Sequence, residues 1–507
     1  MKKLRIICLI LLAVISVLSL FVFIPLTLFK IAAVGLLFLG VTTYYFERLF
    51  QLEDLLFLFL LVGTFVFGKA FSLLGFTVTG IPIYATEILL FGSLAFILFS
   101  IRKTKALRHW QHALPLPRGM FIIFLLYIAL GTIYLLVGLK VRGSMAFRDV
   151  VFCHYALLTL VAINAMNKAE KFKSLLPLFI PGVVLLIVIG ILRNFVPPMG
   201  GVAILRFTSP TKAFNWALIY GIIALVVLTF FTYTSNSSNE TLARKRKIIY
   251  SLLIYFGLLF VVLSHVRASW AGLIMGLVFL WIVLKKEIKV MLIILPILIV
   301  SLFIIDRVFE RMDALNKLSE EMESLMPDAE RTYPKMNIIF RMRIWNQTLE
   351  KIKEKPVLGW GFGSFPRYIV WGKESPQAKG LGSGSMVIPP HNHLLAVFYK
   401  MGILGLAFFI VINLWVFLVG VGYIKTCRDP FNRRFLIAML AAFVYWHGTA
   451  LFFDVLESPP TGIFLWILIG CIMGIIHIDK KGSPQNTQTT QKNTEEKSHQ
   501  ILKPIGI

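Results

Sequence analysis

The chain has 507 residues, of which 58% are hydrophobic, and a mean hydropathy of +0.82. Soluble domains run at about 45–50% apolar, so a string of ordinary globular domains is excluded. The 51 basic against 25 acidic residues give a net charge of +26, which in a soluble chain would point to nucleic acid. No RNA-binding motif or zinc-ligand spacing accompanies it, and the charges sit beside apolar runs, where Lys and Arg anchor helix ends on the cytoplasmic side. No nucleic-acid partner is expected.

In chain order, apolar runs long enough to cross about 30 Å of hydrocarbon recur almost from end to end. The first follows Met1-Lys2-Lys3-Leu4-Arg5 and lacks a small-x-small cleavage site, so it reads as an uncleaved helix. About fourteen spans are expected (12–14), near 5–23, 27–44, 54–69, 84–101, 120–138, 151–166, 175–192, 213–232, 248–264, 268–284, 289–305, 393–424, 434–453 and 460–478. With the N-terminus inside, every second connection from the fourth onward is basic: Arg102 to Arg118, Lys168 to Lys173, Arg244 to Lys247, Lys285 to Lys289, and Lys425 to Arg434, while the span near 27–44 rests on hydropathy alone. This alternation supports the topology and puts both termini in the cytoplasm.

One connection is out of scale. It runs about 85 residues from Asp306 to Pro390, holds close to half of the acidic residues, and falls outside. Arg307 to Met326 and Met336 to Lys355 carry apolar residues at helical spacing, with Ile338, Ile339, Met342, Trp345, Leu349 and Ile352 on one expected stripe. Pro356 ends the second helix and Gly359, Gly361 and Gly363 mark a tight turn. The expected fold is therefore an all-α polytopic membrane protein with one large helical extracytoplasmic loop. Its parts are a bundle of about eleven spans over 1–305, the loop over 306–390, further spans over 391–478, and a disordered cytoplasmic tail over 479–507, rich in Ser, Thr, Gln and Asn. Four scattered cysteines, none in the loop, make a disulfide framework and a cysteine metal site unexpected.

Three external features carry candidate chemistry. Ser264-His265-Val266-Arg267 joins two spans with almost no loop. Arg267 at that helix end fits either an arginine snorkelling to the interface or one holding an anion, since its planar fork donates two parallel hydrogen bonds to phosphate. Arg341-Met342-Arg343-Ile344-Trp345 leads into the glycine triplet, with Arg341 and Trp345 on one helix face. The triplet lacks the Lys-Ser/Thr ending of a phosphate-binding P-loop, so no nucleotide is expected. Pro389-Pro390-His391-Asn392-His393 closes the loop, and Tyr399-Lys400-Met401-Gly402-Ile403 follows. A histidine there fits either a structural role or acceptance of a proton from a sugar hydroxyl. The spacing of His391 and His393 is poor for a helical metal site, and no metal or cofactor is expected.

Together, the Ser-x-x-Arg helix end, the Arg-x-x-x-Trp…Pro-x-x-Gly-x-Gly-x-Gly run and the His-Asn-x-Leu…Gly-Ile-x-Gly-Leu run, in this order, resemble the O-antigen ligase and O-antigen polymerase superfamily, including teichuronic-acid-type polymerases and protein O-oligosaccharyltransferases. The resemblance covers about Leu263 to Phe409. It implies a glycosyltransferase of the bacterial inner membrane that moves a glycan en bloc from undecaprenyl pyrophosphate to an acceptor hydroxyl on a glycan or lipid, on the outer face, without cofactor. Residue by residue it implies Arg267 and Arg341 as the two arginines clamping the pyrophosphate and His391 as the residue orienting or deprotonating the acceptor. Arg343 and His393 are close competitors for these roles. Asn392 and Trp345 join them as substrate-binding candidates, as do the external Arg148 and Arg206 toward anionic sugar or phosphate. The rival reading from another class is a lipid-linked oligosaccharide flippase, which should show two related halves and charges inside its spans.

Overall fold

The computed structural model describes residues 60, 75–78, 81–103, 117–166, 210–233, 240–263, 266–284, 333–369, 385–387, 389–453, 455–456 and 459–481. The expected spans near 5–23, 27–44, 175–192 and 289–305, nearly all of 54–69, the first part of the loop and the tail beyond Lys481 lie outside these residues, whereas residues 479–481, expected in the tail, continue the last helix.

The described part is a helical bundle. A two-stranded antiparallel ribbon, β1 (Gly75–Val78) and β2 (Ile81–Tyr84), leads into α1 (Ala85–Lys103). α2 (Arg118–Arg142) follows Pro117 and ends at Gly143, whose φ is 60°. A broken helical stretch then comprises a 3-10 turn over Gly143–Asp149, α3 (Val150–Cys153), a second 3-10 turn over His154–Leu157, and α4 (Leu158–Met166). α5 (Pro210–Tyr233), α6 (Glu240–Leu263) and α7 (Arg267–Leu284) complete the N-terminal part. The loop contributes α8 (Tyr333–Glu354) and a second short ribbon, β3 (Arg367–Ile369) with β4 (Ser385–Val387). The chain closes with α9 (His393–Ile424), α10 (Pro430–Ala450) and α11 (Pro459–Lys481). Helix dominates, as the apolar periodicity predicts, and the two ribbons are its additions. Among the described residues five helices are long and apolar enough to cross a membrane: Gly119–Arg142, Met145–Met166, Arg267–Leu284, His393–Ile424 and Thr461–Lys480.

Small residues set the packing. Gly272 and Gly276 stand one turn apart on α7 and face α10, where a Cβ on Gly272 would collide with the Thr449 hydroxyl. Gly470 and Gly474 do the same for α11 against α4, where added Cβ atoms would lie 2.5 Å from the Ala162 Cβ and 2.6 Å from the Met166 Cβ. Such pairs let helix backbones approach closely where no hydrophobic drive between helices exists. At the lower end, where α9 finishes and α10 begins, the Asp479 carboxylate accepts from Tyr423 Oη (2.9 Å), Arg428 N (3.1 Å) and Asp429 N (3.2 Å). Burial, with the Asp479 charge adding to it, pushes the neighbouring Cys427 thiol up to about 12.

α9 is two helices. Gly402 has φ 63° and ψ −167°, outside the helical region. The His393 and Phe409 rings lie 5.6 Å apart, whereas a straight helix would separate the two positions by about 24 Å. Residues 393–401 therefore rise to Gly402 and 403–424 descend beside them. α2 supplies an independent scale: the Tyr127 ring lies 6.4 Å from that of Phe409, while the Tyr134 hydroxyl, seven residues higher, meets the Met401 carbonyl at 3.3 Å. Seven helical residues rise about 10 Å, so His393 sits about that far below the Gly402 turn.

Candidate functional site

The rim of the site is the glycine turn that follows α8. Gly359, Gly361 and Gly363 have φ of 68°, 77° and 76°, the left-handed region that a side chain disfavours. Their backbone grips the top of α9: Trp360 N donates to Tyr399 O (2.8 Å), Gly361 N to Lys400 O (2.9 Å), and Ile403 N returns to Pro356 O (2.8 Å). Gly359 and Gly402 are back to back, and a Cβ on Gly359 would lie 2.5 Å from Gly402 N. Arg142 at the top of α2 donates to Phe362 O at 2.9 Å. Trp360 stacks on Tyr399 at 6.1 Å, with Lys355 Nζ 4.4 Å from the Trp360 ring centroid.

Beneath the rim is a buried ion pair. Lys400 Nζ lies 2.6 Å from Asp149 Oδ1, with side chains 1% and 4% exposed. The other carboxylate oxygen accepts Gly363 N at 2.7 Å. Lys400 Nζ also lies 4.3 Å from the Phe365 ring and 5.0 Å from the Phe152 ring. One salt bridge thus ties the broken helix after α2, the glycine turn and the upper arm of α9 together. Sequence reading passed over it, although a lysine inside an apolar span is itself a signal for a partnered charge. Asp149 stands 251 residues away, and no local pattern links the two.

The floor is formed where α10 ends. Arg341 Nη1 donates to Phe452 O at 3.0 Å, and Trp345 Nε1 to Pro390 O at 2.8 Å. These two contacts set the rotation of α8 about its axis. Its buried line runs through Ile344, Thr348 and Ile352, while Met342 and Leu349 of the expected stripe are exposed. The helical period is the one expected, and the docking hydrogen bonds shift its phase. His391 has φ 51° and is the one non-glycine residue at positive φ among those described. Its ring packs on Phe453 with centroids 5.9 Å apart. Asn392 caps α9, its Oδ1 accepting Leu394 N (2.9 Å) and Leu395 N (3.2 Å), the usual use of an Asn before a helix. His393 is buried, 2% exposed, with Nδ1 2.9 Å from Ala450 O.

Arg267 is exposed and is the first residue of α7. Gly272 packs directly on Gly448 of α10, and the two helices run antiparallel, since Gly276 meets Ala441 and Tyr445. Five residues before Gly272, about 7 Å along the axis, Arg267 therefore stands on the side of the bundle where α10 finishes at Ala450, two residues beyond Gly448. Arg341 and His391 thus meet at the 451–453 turn, and Arg267 heads the helix packed beside α10. The backbones of Arg148 and Arg343 lie in the 3-10 turn before α3 and in α8, with side chains outside the described residues, as is the whole of Arg206.

Comparison with known proteins gives a consistent result. Residues 252–410 match the family model described as O-antigen ligase. A Rickettsia conorii protein named "Putative polysaccharide ligase" is 26% identical over 264 residues, 46% of this chain and 59% of that protein. Proteins of the same description from Rickettsia prowazekii and Rickettsia felis are 27% and 29% identical over 243 and 202 residues, which is 41% and 39% of this chain and 57% and 45% of theirs. The matched region spans about half the length of these curated relatives. The chain is therefore similar to the O-antigen ligase family through residues 252–410, the segment holding Arg267, Arg341 and His391.

Proposed function

We propose that this chain is a membrane glycosyltransferase that transfers a glycan en bloc from an undecaprenyl-pyrophosphate-type donor to an acceptor hydroxyl, as ligase or polymerase, in cell-surface polysaccharide synthesis. The observation that supports the reading is the meeting of Arg341 and His391 at the 451–453 turn, with Arg267 at the head of α7, the helix packed against α10 just before that turn. Two guanidiniums suit a pyrophosphate, whose charge grows on the leaving lipid phosphate and is stabilised by preorganised donors. His391 orients or deprotonates the acceptor hydroxyl. The pyrophosphate already makes the sugar C1 a good electrophile, so a one-step inverting displacement suffices: the acceptor oxygen forms its bond to C1 as the C1–O bond to phosphate breaks, and the hydroxyl proton passes to His391.

On this reading the upper end of the bundle faces outward, about fourteen spans cross the inner membrane, both termini are cytoplasmic, and the loop over 306–390 roofs the site. Arg343, Trp345, Arg148 and Arg206 remain candidate contacts to the glycan or its phosphates.

The test is expression of Arg267→Ala, Arg341→Ala and His391→Ala at normal levels in a strain lacking the protein, followed by measurement of surface glycan and its lipid-linked precursor. Loss of surface glycan with precursor accumulating on the outer face is expected. Normal glycan in all three variants would sink the catalytic reading, and precursor trapped on the inner face would favour a flippase. The product separates the subclasses: long glycan still on the lipid marks a polymerase, and glycan on lipid A-core a ligase.

A further inference from the structure

We propose that His393 is a positioning residue: its Nδ1–H holds the end of α10 and thereby fixes the 451–453 turn on which Arg341 and His391 meet. Ala450 is the last residue of α10, so its carbonyl is one of the four that a helix end leaves without an intrahelical donor. In a water-poor bundle such a group needs a partner, and His393 Nδ1 supplies it at 2.9 Å. A carbonyl only accepts, so Nδ1 carries the proton and the ring tautomer is assigned. Nε2 has no hydrogen-bond partner among the described residues.

The ring has no room to move. It is enclosed by Phe409, Trp446 and His447, each with its centroid 5.6 Å away, edge-on in the first two cases. His447 Nε2 is in turn 3.2 Å from Asn413 Oδ1, and Asn413 Nδ2 donates to Phe409 O at 2.7 Å. The wall around His393 is thus itself hydrogen-bonded to both helices it joins. At 2% exposure the imidazole has no surface for a substrate.

Consider what the anchored turn carries. Phe452 O takes Arg341 Nη1, and the Phe453 ring takes His391. Both residues are therefore positioned against a three-residue segment whose root is Ala450. His393 reaches Ala450 from two residues beyond His391, which closes a short circuit from His391 through His393 and Ala450 to Phe453. A shift of the turn by about 1 Å changes the separation of Arg341 and His391, and misplacement of that size costs on the order of 100-fold in rate.

Only the activity arm of the test rests on the proposed transfer reaction. His393→Asn places an amide N–H near the Nδ1 position, while His393→Leu fills the volume without a donor. Each variant is purified in nanodiscs and measured for glycan transfer, thermal unfolding and hydrogen exchange of the Leu451 and Phe452 amides. The expected result is a loss of roughly 100-fold in transfer and faster exchange at 451–452 in His393→Leu, with most of both restored in His393→Asn. Normal transfer and protection in His393→Leu overturn the proposal. So do equal losses of transfer in both variants with protection unchanged, because His393 would then act on the substrate. If the unmodified protein transfers no glycan, the proposed function fails, and the exchange data alone still decide whether His393 holds the turn.

Discussion

The Lys400–Asp149 pair permits a prediction with a definite magnitude. Both side chains are almost fully buried, and each has further partners: the Gly363 amide on Asp149 and two aromatic rings on Lys400. Deleting one member of such a pair leaves the other charge buried and uncompensated, at a cost of about 3–5 kcal/mol. Lys400→Met and Asp149→Asn are each expected in that range. Asp149→Asn keeps an oxygen for Gly363 N, so its loss isolates the charge. In the double variant no charge remains, the Gly363 acceptor is kept, and the penalty is expected to fall to roughly 1–2 kcal/mol, since neutral replacements of buried pairs are often tolerated. The coupling between the two sites is then at least about 4 kcal/mol in a double-mutant cycle. Unfolding of the four proteins in mixed micelles, followed by tryptophan fluorescence, measures it. Additive losses, or single variants within about 1 kcal/mol of the unmodified protein, would refute the view that the glycine turn is fastened to the bundle through this pair.

Two further substitutions test the architecture. Gly402→Ala should be severely destabilising, because its φ is 63° and an added Cβ would collide with the Val357 carbonyl; increased protease sensitivity in the 356–363 turn would report it, and a well-folded, protease-resistant Gly402→Ala protein would contradict the back-to-back glycine contact. Asn392→Asp should keep stability and transfer because aspartate caps equally well, whereas Asn392→Ala should lose about 1 kcal/mol; transfer abolished by Asn392→Asp at unchanged melting temperature would instead mean that the amide contacts substrate.

The helical bundle was legible because its signal is local. Apolar runs, flanking lysines and Pro or Gly punctuation mark α2, α5, α7 and α11 within a few residues of their observed ends. The three motifs were legible for the same reason, since each is a short run. What escaped is long-range or depends on phase. Nothing near Lys400 names Asp149, and nothing near His393 names Ala450. The rotation of α8 follows from hydrogen bonds to Phe452 and Pro390, which periodicity cannot see. Asn392 carried a legible second meaning as a helix cap, and its place beside two histidines drew attention to chemistry instead. The stretch 393–424 was read as a single span, although 32 residues would reach about 48 Å as one helix, well beyond the bilayer core; that excess length was the trace of the Gly402 reversal.

The reversal bears on how the protein is made. An insertion machinery that gauges apolar length meets one uninterrupted run from His393 to Ile424, yet only the 22 residues from Ile403 onward run through the bundle as a crossing segment. On the proposed topology, the nine residues before Gly402 leave the translocation channel on the far side and then fold back down between α8, α10 and the descending arm. They can seat only after α10, which is synthesised later, offers Ala450 and Trp446 as their docking surface. His391 therefore reaches its place after the membrane segments around it are inserted, and assembly of the candidate site is one of the last events in the biogenesis of the chain.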